Sequence, residues 1–203
     1  AHATQPGAGI GRFKYEDVNK DGEITPEDRQ YIGSPVPDWT GCVTFNLKYN
    51  NFDFSAYFYA SIGNEIFNQS KWFTDFFGTF EGSAKGIRAQ NSWTPALGND
   101  AEAPIWESAS NLSTSGAANS WYVENGSYLR LQNLSVNYEL EDTLLDHLGI
   151  TDLTLGIAAN NIWTLTKYLG LDPQVGGPDT NFGIDVGNYP VTPSYLFTIR
   201  INK

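Results

Sequence analysis

From Val43 to Tyr49 the side chains alternate: Val43, Phe45, Leu47 and Tyr49 share one phase, Thr44, Asn46 and Lys48 the other. A period of two marks a strand with unlike faces. After Asn50-Asn51 the alternation resumes, with Phe52, Phe54, Ala56, Phe58 and Ala60 against Asp53, Ser55, Tyr57, Tyr59 and Ser61. Asn tolerates the positive φ that a two-residue type I′ turn needs, so the segment predicts a β-hairpin. Its register sets Tyr49 opposite Phe52, Leu47 opposite Phe54, Phe45 opposite Ala56 and Val43 opposite Phe58. Lys48 then faces Asp53, a favourable cross-strand pair.

Three further strands follow. Tyr128 to Leu140 begins with Leu129 and Leu131 in one phase and changes to Leu134, Val136, Tyr138 and Leu140. That change predicts a bulge near Gln132-Asn133. Leu153 to Leu165 carries Leu153, Leu155, Ile157, Ala159, Trp163 and Leu165 in one phase, and the chain closes with Tyr195, Phe197, Ile199 and Ile201 against Thr198, Arg200 and Asn202. The connections alternate in length: a long head (1–40), a turn (50–51), a long stretch (64–127), a short link (141–152) and a long loop (169–192). Short turns on one side and long loops on the other are the habit of an outer-membrane barrel. The aromatic run from Asn64 to Phe80 allows a short helix, and the 141–152 link allows one helical turn.

Composition sharpens this reading. Charged residues make up 17% of the 203 positions, while there are 12 Phe, 11 Tyr and 6 Trp, a balance that suits β-structure and the aromatic girdles of a membrane barrel. The net charge of −11 argues against a nucleic-acid partner, which needs clustered Lys and Arg. No run approaches the ~20 apolar residues of a transmembrane helix, a fact silent about strands. Cys42 stands alone, which leaves no internal disulfide. His2 and His147 have no partner recognisable in the sequence, and no carboxylate spacing selects an acid–base pair, so no enzyme is expected.

Residues 17–28, DVNKDGEITPED, fit the calcium-loop pattern D-x-[DN]-x-[DN]-G. Asp17, Asn19 and Asp21 would offer side-chain oxygens, Gly22 the sharp turn, Glu23 its carbonyl, and Asp28 the last position, where an EF-hand carries Glu. A hard cation wants six to eight oxygens on a flexible loop, so Ca²⁺ is the expected cofactor. Its expected role is to brace a loop, since no pair of EF helices flanks the motif. An Asx-rich turn without an ion is the bland alternative.

Six stretches together resemble SusC-like TonB-dependent outer-membrane transporters, the RagA/SusC family of Bacteroidetes, in their C-terminal barrel portion. They are GRFKYEDVNKDGEITPEDRQYIGSPVPDW, FDFSAYFYASIGNEIFN, NSWTPALGNDAEAP, YVENGSYLRLQNLSVNYEL, NNIWTLTKYLGLDPQV and GIDVGNYPVTPSYLFTIRIN. The resemblance implies an all-β fold: the last five strands of a 22-stranded transmembrane antiparallel β-barrel with long extracellular loops. It divides the chain into an extracellular loop with the acidic motif (1–40), a β-hairpin (41–63), a long extracellular loop (64–127) and the last three strands (128–203). It also implies import of oligosaccharides or peptides across the bacterial outer membrane. The implied partners are the remaining barrel and plug, a SusD-like surface lipoprotein, the TonB complex through a preceding region, and lipid. Lys203 stands where the family has a terminal aromatic residue.

Val43, Phe45, Phe54, Phe58, Leu155, Ile157, Phe197 and Ile199 should then face lipid, and Thr44, Asn46, Ser55, Thr154, Asn160 and Thr198 the lumen. The alternative is a secreted, soluble β-sandwich that binds glycans through loop aromatics such as Trp72, Phe73 and Trp106, with a calcium-braced loop. The acidic loop is also similar to half of a dockerin, which carries two such loops where this chain has one. A sandwich would bury the first set against a second sheet.

Overall fold

The computed structural model describes residues 3–80, 82–140, 145, 150–176 and 179–202. His2, His147 and Lys203 lie outside them, as does most of the 141–152 link with its expected helical turn. The chain divides into two compact units.

The first unit is a five-stranded antiparallel sheet: β1 (Trp39–Tyr49), β2 (Phe52–Ile62), β5 (Tyr128–Glu139), β6 (Asp152–Thr166) and β8 (Ser194–Asn202), in that spatial order. Each strand pairs with its predecessor in the sheet, so β1 and β8 form the edges. The β1–β2 register is the one that the alternation predicts, from Tyr49 opposite Phe52 to Val43 opposite Phe58. Lys48 Nζ lies 3.7 Å from Asp53 Oδ2. The pair is exposed, so it adds only about 0–1 kcal/mol. The turn departs from expectation in one respect. Asn50 takes φ +49° and Asn51 does not join it in the left-handed region, whereas type I′ needs both residues there.

Apolar side chains run in rows across all five strands. One row is Leu47, Phe54, Val136, Ile157 and Phe197, and the next is Tyr49, Phe52, Tyr138, Leu155 and Ile199. This face is uncovered: Val43 is 65% exposed, Ile157 51% and Phe197 81%. A sandwich would bury it, and the soluble-module alternative fails on that point. The opposite face carries a polar row of Thr44, Tyr57, Asn133, Asn160 and Ser194. There Asn133 Nδ2 donates to Asn160 Oδ1 (2.8 Å) and Asn160 Nδ2 donates to Ser194 Oγ (3.1 Å). Gly156 sits opposite Asn137, and a Cβ there would lie 2.5 Å from Asn137 Oδ1.

The expected bulge sits at Gln132, where the pairing of β5 with β2 steps between Tyr57 and Phe58. One extra residue in β5 moves its apolar phase from Leu131 to Leu134 without moving the face. β6 takes a further extra residue between Asn160 and Trp163, at the left-handed Asn161 (φ +53°).

The second unit comprises residues 1–34, 66–124 and 177–187. These stretches, expected as loops, hold regular elements and a core. A three-stranded sheet runs β4 (Val123–Asn125), β3 (Glu65–Asn68), β7 (Ile184–Asp185), and α1 covers Ser70–Thr74, within the run where the sequence allows a short helix. β3 and β7 run parallel, with Phe67 opposite Ile184 and Asn68 opposite Asp185. Phe76 and Tyr122 are buried in an aromatic cluster. Ring centroids are 5.6 Å apart for Phe13–Trp121, 5.5 Å for Phe76–Trp121 and 5.1 Å for Phe67–Tyr122. Edge-to-face and offset contacts of this kind add about 0.5–1.5 kcal/mol per pair beyond area burial.

Candidate functional site

The acidic loop folds on its own side chains. Asp17 Oδ2 accepts from Gly22 N (2.9 Å), Asn19 Oδ1 from Asp21 N (3.0 Å) and Asp21 Oδ1 from Glu23 N (2.8 Å). These Asx turns coil the segment, helped by the left-handed Lys20 (φ +63°) and Gly22 (φ +90°). Hydrogen bonds from Thr4 N to Gly22 O (2.8 Å) and from Ile24 N to Thr4 O (2.9 Å) tie it to the head of the chain. Asp28 closes the loop through main-chain donors, Val18 N to Oδ1 (2.9 Å) and Thr25 N to Oδ2 (2.7 Å). The Thr25 amide, followed by those of Val18 and Asn19, holds the Asp28 carboxyl below its usual range.

Asp17 Oδ1 is buried without a hydrogen-bond partner among the described residues, and a cation would satisfy such an oxygen. The oxygens of Asn19 and Asp21 keep free lone pairs beside their single hydrogen bonds. Asp28 is turned to the backbone, and among the described residues no three His, Cys, Asp or Glu side chains cluster as a metal site. Of the residues expected to hold calcium, Asp17, Asn19 and Asp21 keep oxygen lone pairs unused by the loop's own hydrogen bonds, whereas Asp28 accepts from the Val18 and Thr25 amides.

Two cavities open in the same unit. The larger, about 770 Å³, lies between the acidic loop and residues 112–120 and is lined by Lys14, Tyr15, Thr25, Asp28, Arg29 and Asn119, among others. The smaller, about 390 Å³, is lined by Phe67, Gln69, Trp72 and Tyr122. Both share Gly116, Ala117 and Ala118 as a wall. Burial raises the phenols of Tyr15 and Tyr122 above their ordinary value, the latter strongly and with help from Tyr15 and Asp75. Both phenols therefore stay neutral at neutral pH. Trp72 Nε1 donates to Ser115 O (3.0 Å), which fixes the indole as a wall.

Buried ion pairs hold each unit, and sequence reasoning did not single them out. In the loop unit Lys71 Nζ sits 2.7 Å from Glu124 Oε1, donates to Trp121 O (2.8 Å) and lies 4.6 Å from the Trp121 ring centroid. Arg88 Nε meets the fully buried Asp75 Oδ2 at 2.6 Å. In the sheet unit Arg130 is 3% exposed. It donates to Thr164 Oγ1 (2.9 Å), Gln174 Oε1 (2.8 Å) and Asp172 Oδ1 (2.5 Å). Asp172 also accepts from Gln174 N (2.8 Å) and Val191 N (2.9 Å), so both limbs of the 167–193 connection are pinned at one arginine. The available signal was a lone Arg in the polar phase of an apolar strand, Tyr128-Leu129-Arg130-Leu131.

No protein-family model matches the chain. The TonB-dependent receptor P3 of Formosa agariphila is 33% identical over 197 residues, 93% of this chain and 18% of that protein. The TonB-dependent receptor SusC of Bacteroides thetaiotaomicron is 27% identical over 196 residues, 92% of this chain and 17% of that protein. Among solved structures, the RagAB peptide importer in its closed-closed state matches with a TM-score of 0.71 at 25% identity, over 89% of this chain and 19% of that one. A further RagAB peptide transporter structure matches with a TM-score of 0.67 at 26% identity, over 83% and 17%. These relatives are receptors and transporters rather than enzymes, in keeping with the absence of a catalytic constellation in the sequence. By sequence and by fold together, the chain belongs with the SusC-like TonB-dependent receptors, as an all-β barrel segment spanning about a fifth of such a protein.

Proposed function

We propose that the chain is the C-terminal, five-strand part of a 22-stranded TonB-dependent barrel that imports oligosaccharides or peptides across the outer membrane with a SusD-like surface lipoprotein. The observation that carries this reading is the unbroken apolar face over five strands, exposed on one side and backed by a polar face on the other. Only lipid or a second protein layer can cover such a face, and among the described residues its Val43, Ile157, Phe197 and Ile199 are exposed. The two long edges, β1 and β8, support the same reading, because unpaired edges of this length invite pairing and here need further strands of a closed barrel. The remaining barrel and plug, and the TonB complex, are the other partners. Calcium at Asp17, Asn19, Asp21 and the Glu23 carbonyl would supply a fixed positive charge that stiffens the acidic loop.

The test is a paired substitution in the full-length protein refolded into lipid vesicles. Phe54→Arg should cost about 2–4 kcal/mol if it lies near the bilayer midplane, whereas Ser55→Arg, facing the lumen, should cost far less. Equal costs at the two positions would reject the barrel.

A further inference from the structure

The apolar face of the five-stranded sheet carries no charged side chain; Lys48, Asp53, Arg130 and Arg200 all lie in the opposite phase of their strands. At the end of β6 the alternation of exposure runs on past Thr166. Trp163, Leu165, Lys167, Leu169 and Leu171 are exposed, and the even-numbered residues between them are buried or half-buried. Lys167 therefore continues the apolar phase as a cation with an exposed leucine two residues away on either side. Its direction is fixed by its neighbours: Thr166 Oγ1 donates to Ser127 O (2.8 Å) and accepts from Tyr168 N (3.1 Å), and Tyr168 is buried. Lys167 has no ion-pair partner among the described residues.

Height on the strand gives this lysine its surroundings. In a barrel with short turns on the periplasmic side, the Thr166 end of β6 is the extracellular end. From Leu153 to Leu165 the strand climbs about 25 Å, at a rise of about 3.3 Å per residue and a tilt of about 45°, which is the height of a barrel's apolar band. One step further, Lys167 stands at the level of the headgroups, with Leu165 and Trp163 below it. A lysine at that boundary lays its methylenes on apolar neighbours and keeps its ammonium in the polar layer, and indole rings settle at the same depth. The chain as a whole carries a net charge of −11, so its general field repels anions. An anion held here is held by the local cation, and phosphate is the anion that membrane lipids carry at this depth.

We propose that Trp163, Leu165 and Lys167 form a docking site for a phosphorylated lipid of the outer leaflet, with an acyl chain against the indole and Leu165 and the phosphate on the Lys167 ammonium. The proposal rests on the transporter reading and adds to it a lipid contact of defined chemistry at one end of the sheet.

The test is acetylation of lysine amines in the detergent-purified full-length transporter, read residue by residue by peptide mass spectrometry. The probes are phosphorylated lipid A, lipid A stripped of its phosphates, and inorganic phosphate. Phosphorylated lipid A should slow the labelling of Lys167 about fivefold, the factor expected of one lysine beside an anionic headgroup, and leave Lys48, on the opposite face, unchanged. The stripped lipid and inorganic phosphate should protect neither lysine. Trp163→Ala should weaken the protection by lipid A; should that variant fold poorly, Leu165→Gln at an exposed position should do the same. Equal protection by the stripped lipid would overturn the proposal, because it would show burial without a phosphate contact. Protection by inorganic phosphate would overturn it too, as the mark of an anion site that needs no lipid. If lipid A leaves Lys167 as reactive as before while Phe54→Arg and Ser55→Arg still differ as expected of a barrel, the lipid site is wrong and the transporter reading stands.

Discussion

Arg130→Ala removes three hydrogen bonds at once, to Thr164, Gln174 and Asp172, from a guanidinium that is 3% exposed. Breaking a buried ion pair on one side costs about 3–5 kcal/mol, most of it from the charge left behind. Here Asp172 keeps two main-chain donors, Gln174 N and Val191 N, so its charge is not fully stranded. The cost should therefore fall near the lower bound, about 3 kcal/mol. It should also be local, because Asp172 and Gln174 lie in one connection and Thr164 at the end of the strand that leads into it. An opening free energy lowered by that amount raises the population of the open segment about 100-fold. Hydrogen–deuterium exchange on the full-length protein in detergent reads this directly: amides of residues 172–176 and 188–192 should exchange about 100-fold faster, and those of β1 and β2 should not. A double variant, Arg130→Met with Asp172→Leu, should recover part of the protection, since it leaves neither charge alone. Unchanged exchange in the connection after Arg130→Ala, or loss spread evenly over the sheet, would refute the clamp.

In the loop unit, Lys71→Met leaves Glu124 without its cation but still with the Asn68 amide (3.2 Å), so it should lower the unfolding free energy by an amount near the lower bound, about 3 kcal/mol; Glu124→Gln in the same chain should restore much of it, as thermal unfolding can measure. Acid should loosen the acidic loop through Asp28. Its carboxyl is held below the usual range, so its contribution is complete above the ordinary carboxylate value of about 3.9 and fades as pH falls through the lowered value. Protease cleavage within 17–28 should rise there in the parent, and Asp28→Asn should be equally cleavable at every pH. Calcium should protect the same segment from cleavage with half-effect at about 10⁻⁴–10⁻³ M, the range of extracellular modules; Asp17→Ala should abolish that protection, and a parent indifferent to calcium would remove the ion from the account.

Much of the sheet was legible in the sequence because a period of two leaves each strand's two faces chemically distinct. The hairpin register followed from Leu47, Phe54 and their neighbours, and the bulge at Gln132 from a visible phase change. The second irregularity, at Asn161, was not legible. β6 gains two residues over β2, one shared with β5 and one its own, and an even number returns Ala159 and Trp163 to the same phase. Parity hides such a bulge from any alternation argument. The D-x-[DN]-x-[DN]-G spacing likewise announced the acidic loop, because those Asx turns are made within a few residues of one another.

What the sequence by itself determined is everything carried by local periodicity: five two-faced strands, their order of short and long connections, and the oxygen-rich loop. Only the tertiary structure decided what the long connections do. Arg130 reaches Asp172 across 42 residues, Lys71 reaches Trp121 across 50, and Arg12 reaches Glu107 across 95. The shared Gly116–Ala118 wall exists only because residues 14–30 and 67–72 fold against it. Contacts between distant residues follow no period, and aromatic rings that look like loop ornaments in a string of letters become a core once they meet.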